Sequence, residues 1–308
     1  MDFLVIGPGA IGCLFSARLT KAGHGVTIVD YREKRATFIN NNGINLEGLS
    51  GEYTAHVPAI TGEFTGRADV AMVCVKACQT REAAEKIVCW LHPRTVVLTL
   101  QNGLGNLEIL EEIFKENRVF GGVTAEGSTL LGPGHVRHAG RGQTIIGPAD
   151  SEKGHAEKIV SAFSMAGFDT RSTDEVRDLI WGKLIVNVGI NALAAIAMLK
   201  NGQLPGIESA KAVMKDAVQE AMSVAHAKGI PLPYPDPFEH VLEVCRCTAE
   251  NTASMLQDIL REKTTEVGFI NGAIVREGEA LGIPTPVNCT LTRLVEVIQG
   301  NYGKRIHA

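Results

Sequence analysis

Residues 3–12, FLVIGPGAIG, decide the fold. The four apolar residues 3–6 read as a buried strand, and the pattern over 11–22 reads as an amphipathic helix ended by Gly23. Between them, Gly7-Pro8-Gly9-Ala10-Ile11-Gly12 fits G-x-G-x-x-G. Gly7 permits the tight turn, Gly9 lets the backbone approach a pyrophosphate, and Gly12 allows close helix packing. The first helical turn, from Ala10 and Ile11 onward, turns free N–H groups toward an anion. The alternative is a glycine turn without a ligand. Against it stands Asp30, eighteen residues after Gly12 at the end of the next apolar run, 26–30. A carboxylate there is placed to accept from adenosine ribose hydroxyls and to repel a 2′-phosphate, which favours NAD. Arg32 and Arg35 follow immediately. They read either as charge-assisted forks for a 2′-phosphate or as a solvated first helical turn.

Working outward, the first half alternates apolar runs with helical patterns. A helix is expected over 33–41, ended near Gly43; strands are expected over 71–75 and 95–100, and helices over 80–91 and 107–114. Such apolar strands suit a parallel sheet covered on both faces, the doubly wound α/β pattern. The Gly- and Thr-rich stretch 119–147 reads as extra antiparallel strands, and 157–166 as helix. Beyond about Asp174 long helical patterns take over, at 175–199, 208–228, 238–247, 266–281 and 289–298, broken at 200–206 and by four prolines within 231–237. The expected organisation is a Rossmann-type α/β domain over 1–174 followed by an all-α domain over 175–308.

Composition narrows the function. At roughly 100–200 residues per domain, 308 residues suit two domains. A formal net charge of −4, from 30 Lys+Arg against 34 Asp+Glu, argues against a broad nucleic-acid surface. No apolar run is expected to approach the ~20 residues of a membrane span, so no membrane role is expected. The N-terminus lacks the basic region and cleavage site of a signal peptide, which points to the cytoplasm. The seven cysteines follow neither a disulfide framework nor zinc spacing, so reduced cysteines and no metal are expected. His135 and His138 lie in the Gly-rich stretch and, with no acid paired to them in sequence, read as surface residues.

Within an otherwise apolar helix, Lys183, Asn187 and Asn191 are spaced i, i+4, i+8. At ~100° per residue they drift by only about 40° per step and share one face. Three polar groups on a largely apolar helix need partners, because unsatisfied burial costs roughly 1–3 kcal/mol per group. The alternative is a packing seam of satisfied amides with Lys183 reaching to water. Glu266, taken alone, reads as an exposed carboxylate favoured by a helix N-terminus.

This stripe is one of five motifs that, in order, resemble the ketopantoate reductase (2-dehydropantoate 2-reductase) family. The others are the glycine loop, Val75-Lys76 with Gln79-Thr80, Leu100-Gln101-Asn102-Gly103-Leu104-Gly105-Asn106, and Ser254-Met255-Leu256-Gln257-Asp258 followed by Thr264-Thr265-Glu266 and Phe269-Ile270-Asn271-Gly272. The resemblance runs from Gly7 to the Ile283-Pro284-Thr285-Pro286 turn. It implies reduction of a 2-oxo acid bound between two domains, the substrate being 2-dehydropantoate and the product pantoate, a step towards pantothenate and coenzyme A. It also implies roles: Lys183 as general acid, Glu266 supporting it and contacting the substrate hydroxyl, Asn187, Asn191, Ser254 and Asn102 on substrate, and Lys76 together with the same Asn102 beside the nicotinamide. Family members usually use NADPH, with a basic residue just after the second strand. This chain departs by placing Asp30-Tyr31 before Arg32, which keeps NADH open, and by Pro8 within the glycine loop. A related 2- or 3-hydroxyacid dehydrogenase and a non-catalytic NAD(P)-sensing protein are the competing readings. Retention of both Lys183 and Glu266 speaks against a sensor. A homodimer is compatible with all three.

Overall fold

In a computed structural model, which describes residues 1–150 and 156–304, the chain runs β1 (Asp2–Ile6), α1 (Ala10–Lys21), β2 (Gly25–Val29), α2 (Glu33–Asn42), β3 (Ile44–Gly48), β4 (Tyr53–Ala55), β5 (Ala59–Ile60), β6 (Val70–Val73), α3 (Thr80–Ile87), β7 (Val96–Thr99), α4 (Asn106–Ile113), β8 (Val119–Thr124), β9 (Gly127–Gly132), β10 (His135–Gly140), β11 (Thr144–Pro148), α5 (Ala156–Met165) and β12 (Thr170–Ser172). The helices α6 (Val176–Ala197), α7 (Glu208–Ala227), α8 (Pro237–Cys247), α9 (Ser254–Leu260), α10 (Asn271–Leu281) and α11 (Pro286–Gln299) follow. The chain divides into two compact units: Met1–Gln101 with Asn106–Arg177, and Asn102–Gly105 with the chain from Asp178 onward.

The α/β unit is built on an eight-stranded sheet of order β12-β11-β8-β7-β6-β1-β2-β5. From β5 to β8 all neighbours are parallel, while β11 runs antiparallel to β8. The fully buried patterns of β6 and β7 are those of strands covered on both faces. From β1 the chain crosses to β2 on one side and later returns to β6 on the other. The carboxyl ends of β1 and β6 are therefore the topological switch point, where open α/β sheets bind ligands.

Two sequence expectations change here. Residues 119–147 do supply antiparallel pairs, β9 with β10 and β11 with β8, but these are divided between two sheets and joined to parallel neighbours. β8 extends the parallel sheet, while β9 and β10 join β3 and β4 in a second, four-stranded sheet of order β4-β3-β10-β9. In that sheet β10 pairs in parallel with β3, about ninety residues earlier, a partnership that no local pattern announces. Nor are His135 and His138 both surface residues. His138 is buried, with Nε2 2.5 Å from a Glu126 carboxylate oxygen and 3.0 Å from the Gly140 carbonyl, and Nδ1 2.6 Å from the Ser50 hydroxyl. The half-buried His135 pairs with Glu47 at 2.7 Å.

The helical unit is centred on α6. By length and composition this 22-residue helix is apolar enough to cross a membrane, which corrects the expectation of no such segment. In the fold it is a core helix, because an apolar surface on most sides demands partners on most sides. Two glycines allow the approach. A Cβ on Gly182 would lie 2.6 Å from Pro233 Cγ, and one on Gly189 would lie 2.9 Å from Val241 of α8 and 3.0 Å from Val218 of α7.

A buried polar chain braces the same core. The Glu220 carboxylate accepts the backbone N–H groups of Val287 and Asn288 at the start of α11, at 2.8 and 2.9 Å. The Asn288 amide donates to Ala217 O and to Glu220. Its oxygen accepts from Asn271 Nδ2 at 3.0 Å, and that amide also donates to Val188 O of α6 at 3.2 Å. Asn288→Ala strips partners from groups shut off from water and is expected to cost about 1–3 kcal/mol in urea unfolding, with the denaturant slope unchanged.

Candidate functional site

In the α/β unit the glycine loop follows β1 directly. Gly7 donates its N–H to Val29 O of β2 at 3.0 Å and has φ +101°, the left-handed region that favours glycine. A Cβ on it would meet Val75 Cγ1 at 2.8 Å, and a Cβ on Gly12 would sit 2.2 Å from Gly7 O. The fold itself therefore demands glycine at 7 and 12. Gly9 is different: its backbone is extended, and a Cβ there would find nothing nearer than Cys74 O at 3.7 Å. No packing inside the protein excludes a Cβ at 9. Gly9 is also the N-cap of α1 and supplies no side-chain hydrogen bond, so the N–H groups of the turn through Ala10 and Ile11 have no side-chain cap. An uncapped helix start beside an open glycine at the switch point fits a dinucleotide pyrophosphate.

The second loop at this switch point, after β6, carries half-buried Lys76 as the N-cap of a 3-10 turn over Ala77–Gln79. Its conformation is pinned by hydrogen bonds. Gln101 Nε2 donates to Val75 O at 2.7 Å and to the Thr80 hydroxyl at 2.9 Å, and Thr80 in turn donates to Asn106 Oδ1 at 2.8 Å. The Gln79-Thr80 and Gln101…Asn106 pieces of the sequence signature thus clamp the loops after β6 and β7 together.

At the end of β2, Asp30 does not present the open carboxylate that the sequence suggests. Its side chain is 0% exposed. One oxygen accepts from Arg35 Nη2 at 2.6 Å and from the Arg32 backbone N–H at 3.0 Å, while the other takes the Arg35 Nε–H. Arg35 is therefore a clamp on Asp30 rather than a freely solvated residue. Arg32 is exposed, its guanidinium over the Tyr31 ring at 5.0 Å and its Nε–H donated to the Tyr31 hydroxyl at 2.8 Å.

In the helical unit, α6 carries Lys183, Asn187 and Asn191 on one face, the first two half-buried and the third buried. Desolvation pushes the Lys183 ammonium down from 10.5 to about 8, and the nearby Glu266 carboxylate pulls the other way. Glu266 is 8% exposed, so it is not the solvated helix-start carboxylate that spacing alone allows. Nor does a single helix cover 266–281. A 3-10 turn, Val267–Phe269, follows Glu266, and the chain breaks at Ile270 (φ −109°, ψ −93°) before α10 begins. That break turns Glu266 inward while leaving the Asn271 side chain to the α6 carbonyl.

Asn102 is built into this helical unit. Leu104 donates its N–H to Phe269 O at 2.9 Å, and Gly103, at φ +85°, passes so close that a Cβ would lie 2.2 Å from that carbonyl. Asn102 is thereby stitched to the segment three residues beyond Glu266. Ser254 is exposed at the start of α9. Among the described residues no group of three His, Cys, Asp or Glu is arranged to hold a metal. A cavity of about 460 Å³ lined by Asp2, His24, His56 and Phe64 opens by the amino ends of β1 and β2, opposite the switch point.

The family model described as "Ketopantoate reductase PanE/ApbA" matches residues 3–151, and its C-terminal counterpart matches residues 175–299. The chain is 36% identical over 296 residues to the 2-dehydropantoate 2-reductase of Archaeoglobus fulgidus, covering 96% of this chain and 97% of that one. It superposes on a PanE/ApbA family ketopantoate reductase from Ralstonia eutropha JMP134 with a TM-score of 0.90 at 35% identity, over 97% of this chain and 99% of that one. It superposes on a D-mandelate dehydrogenase, solved with NADH and anilino(oxo)acetate, with a TM-score of 0.93 at 27% identity, over 98% and 100%. With both halves matched by the family's models, this α/β-plus-helical oxidoreductase chain belongs to the ketopantoate reductase family.

Proposed function

We propose that this chain reduces 2-dehydropantoate to pantoate, using a nicotinamide dinucleotide held by the glycine loop. The observation that carries the reading is Lys183: an ammonium brought to about 8 by desolvation, on one helix face with two asparagines, and near a buried glutamate. When bound, the cofactor supplies a hydride to the ketone carbon. Negative charge then grows on the ketone oxygen, where Lys183 stabilises it and gives up a proton to form the alcohol. Glu266 holds Lys183 in its charged form and accepts from the substrate hydroxyl. Asn187, Asn191 and Ser254 offer neutral N–H and O–H donors to the substrate carboxylate and hydroxyl, while Lys76 and Asn102 serve the nicotinamide end. The cofactor we assign is NADPH, with NADH used less well, because the carboxylate that would read a free ribose hydroxyl is already engaged by Arg35.

The test is a spectrophotometric panel of 2-oxo acids with NADPH. Turnover of 2-dehydropantoate well above that of other acids supports the reading, and inactivity with every 2-oxo acid rejects it. The likeness to D-mandelate dehydrogenase favours a second reading, an aromatic 2-oxo acid reductase. Preference for phenylglyoxylate would identify it.

A pH dependence follows from the same lysine. The donor must be protonated, and its range is lowered to about 8, so kcat/KM for reduction should be flat below pH 8 and fall about tenfold per unit above it. Glu266 favours the ammonium, so Glu266→Gln should move this descending limb to lower pH. A limb that stays in place in the variant would separate Glu266 from Lys183.

A further inference from the structure

We infer that Gln299, the last residue of α11, is a positioning residue for Glu266 and acts on it through Thr265. This rests on the reading of Lys183 and Glu266 as the pair that handles the proton. The chain passes from exposed Lys263 and Thr264 to buried Thr265 and Glu266 within one residue, so the inward turn has to be held. Neither Thr265 nor Glu266 belongs to a helix or a strand, so no backbone ladder takes the Thr265 N–H. A buried N–H outside the ladders needs another acceptor.

Gln299 supplies it. Its Oε1 accepts the Thr265 N–H at 3.1 Å and the Thr265 hydroxyl at 2.9 Å. A backbone N–H can only donate, so the amide atom that faces it is the oxygen. The Val267 N–H points back to Thr265 Oγ1 at 3.4 Å. Three residues before Glu266, the Tyr302 hydroxyl donates to the Lys263 carbonyl at 2.7 Å. Beyond Glu266, its own carbonyl accepts the N–H groups of Phe269 and Ile270 at 2.9 and 3.1 Å. Glu266 is thus fixed from both sides, and the hold before it comes from the carboxyl end of α11. The start of that helix is tied to α7 through Glu220, so the brace is anchored in the helical core.

The carboxylate held in this way is the charge that acts on Lys183. Without the Gln299 oxygen, the Thr265 N–H and O–H regain partners only by moving toward water. That movement carries Glu266 outward, and its pull on the ammonium falls with distance. Loss of Gln299 should therefore act on Lys183 in the same direction as loss of the carboxylate itself.

The experiment follows the Lys183 Cε resonance of the full chain, labelled with ¹³C-lysine, through a pH titration, with Lys183→Ala assigning the signal. It reads the ammonium directly and needs no turnover. Gln299→Met should lower the Lys183 midpoint by about half a pH unit or more, a part of the roughly one to three units that a close opposite charge is worth. Glu266→Gln should lower it too, and in that background Gln299→Met should move it no further. Gln299→Glu keeps an accepting oxygen and adds negative charge, so its midpoint should hold or rise.

A folded Gln299→Met with the parent's midpoint overturns the brace. So does a further fall in the Glu266→Gln background, or a fall with Gln299→Glu. If Gln299→Met fails to fold, Thr265→Val, which loses the hydroxyl but keeps the shape, decides by the presence or absence of the fall. Turnover of 2-oxo acids is measured beside the titration. Shifts as expected in a chain inactive on every 2-oxo acid would support the brace and reject the proposed reduction, while an active chain without the shifts overturns the brace alone.

Discussion

Lys183→Ala is expected to lower kcat for reduction by about 10²–10⁴-fold, the range for a positioned proton donor, with dinucleotide affinity changed by no more than about twofold. The asymmetry follows from where the residue is built. Lys183 belongs to α6 of the helical unit, whereas the glycine loop belongs to the α/β unit. Desolvation has already brought its ammonium to about 8, so near neutral pH it is both charged and ready to release a proton. Alanine removes the stabilising charge and the proton together. Lys183→Arg separates the two: a guanidinium keeps the charge but does not deprotonate in this range, so substrate binding should survive better than turnover. Steady-state kinetics with separate kcat and KM, beside a calorimetric cofactor titration, check the split. Turnover of Lys183→Ala within a few-fold of the parent would remove the residue from the mechanism.

Gly9→Val is expected to weaken dinucleotide binding by about 10–100-fold, the worth of one charge-assisted contact, while leaving the unfolding midpoint nearly unchanged. Gly12→Ala is expected to cost about 1–3 kcal/mol or more of stability, because its Cβ would sit 2.2 Å from Gly7 O with the neighbouring backbone fixed. The contrast is informative because the two positions look alike in the motif. At 12 the side chain is excluded by the protein. At 9 the nearest protein atom is 3.7 Å from the added Cβ, so only a ligand has reason to exclude it. Thermal unfolding and a cofactor titration of both variants settle the matter. If Gly9→Val binds as the parent does, the pyrophosphate does not lie over this loop.

What was legible in the sequence was whatever neighbouring residues decide between themselves. The apolar runs at 3–6 and 71–75 announced strands buried on both faces, as β1 and β6 are. The i, i+4, i+8 spacing of Lys183, Asn187 and Asn191 placed all three on one face, since helix periodicity is local. The glycines of the loop could be assigned because their turn lies between a strand and a helix adjacent in the chain.

Other features depended on partners that the chain brings together only by folding. Glu266 reads equally well as a solvated helix start. It is buried because the chain breaks at Ile270 and Phe269 O is taken by Leu104, more than 160 residues earlier. The joining of α6, α7 and α11 through Asn271 and Asn288 had no signal in the local sequence. His138 looked solvent-facing until β10 paired with β3 and closed Ser50 and Glu126 around it. Asp30 is the sharpest case. Its place at the end of β2 was readable, yet whether its carboxylate meets a ribose or an arginine depends on how the first turn of α2 aims Arg35. Sequence alone determined the elements and the faces they expose, because backbone periodicity and turn sterics act over a few residues. Tertiary structure alone decided which charges are paired and which are free, because burial and hydrogen-bond partnership depend on what lies opposite in space.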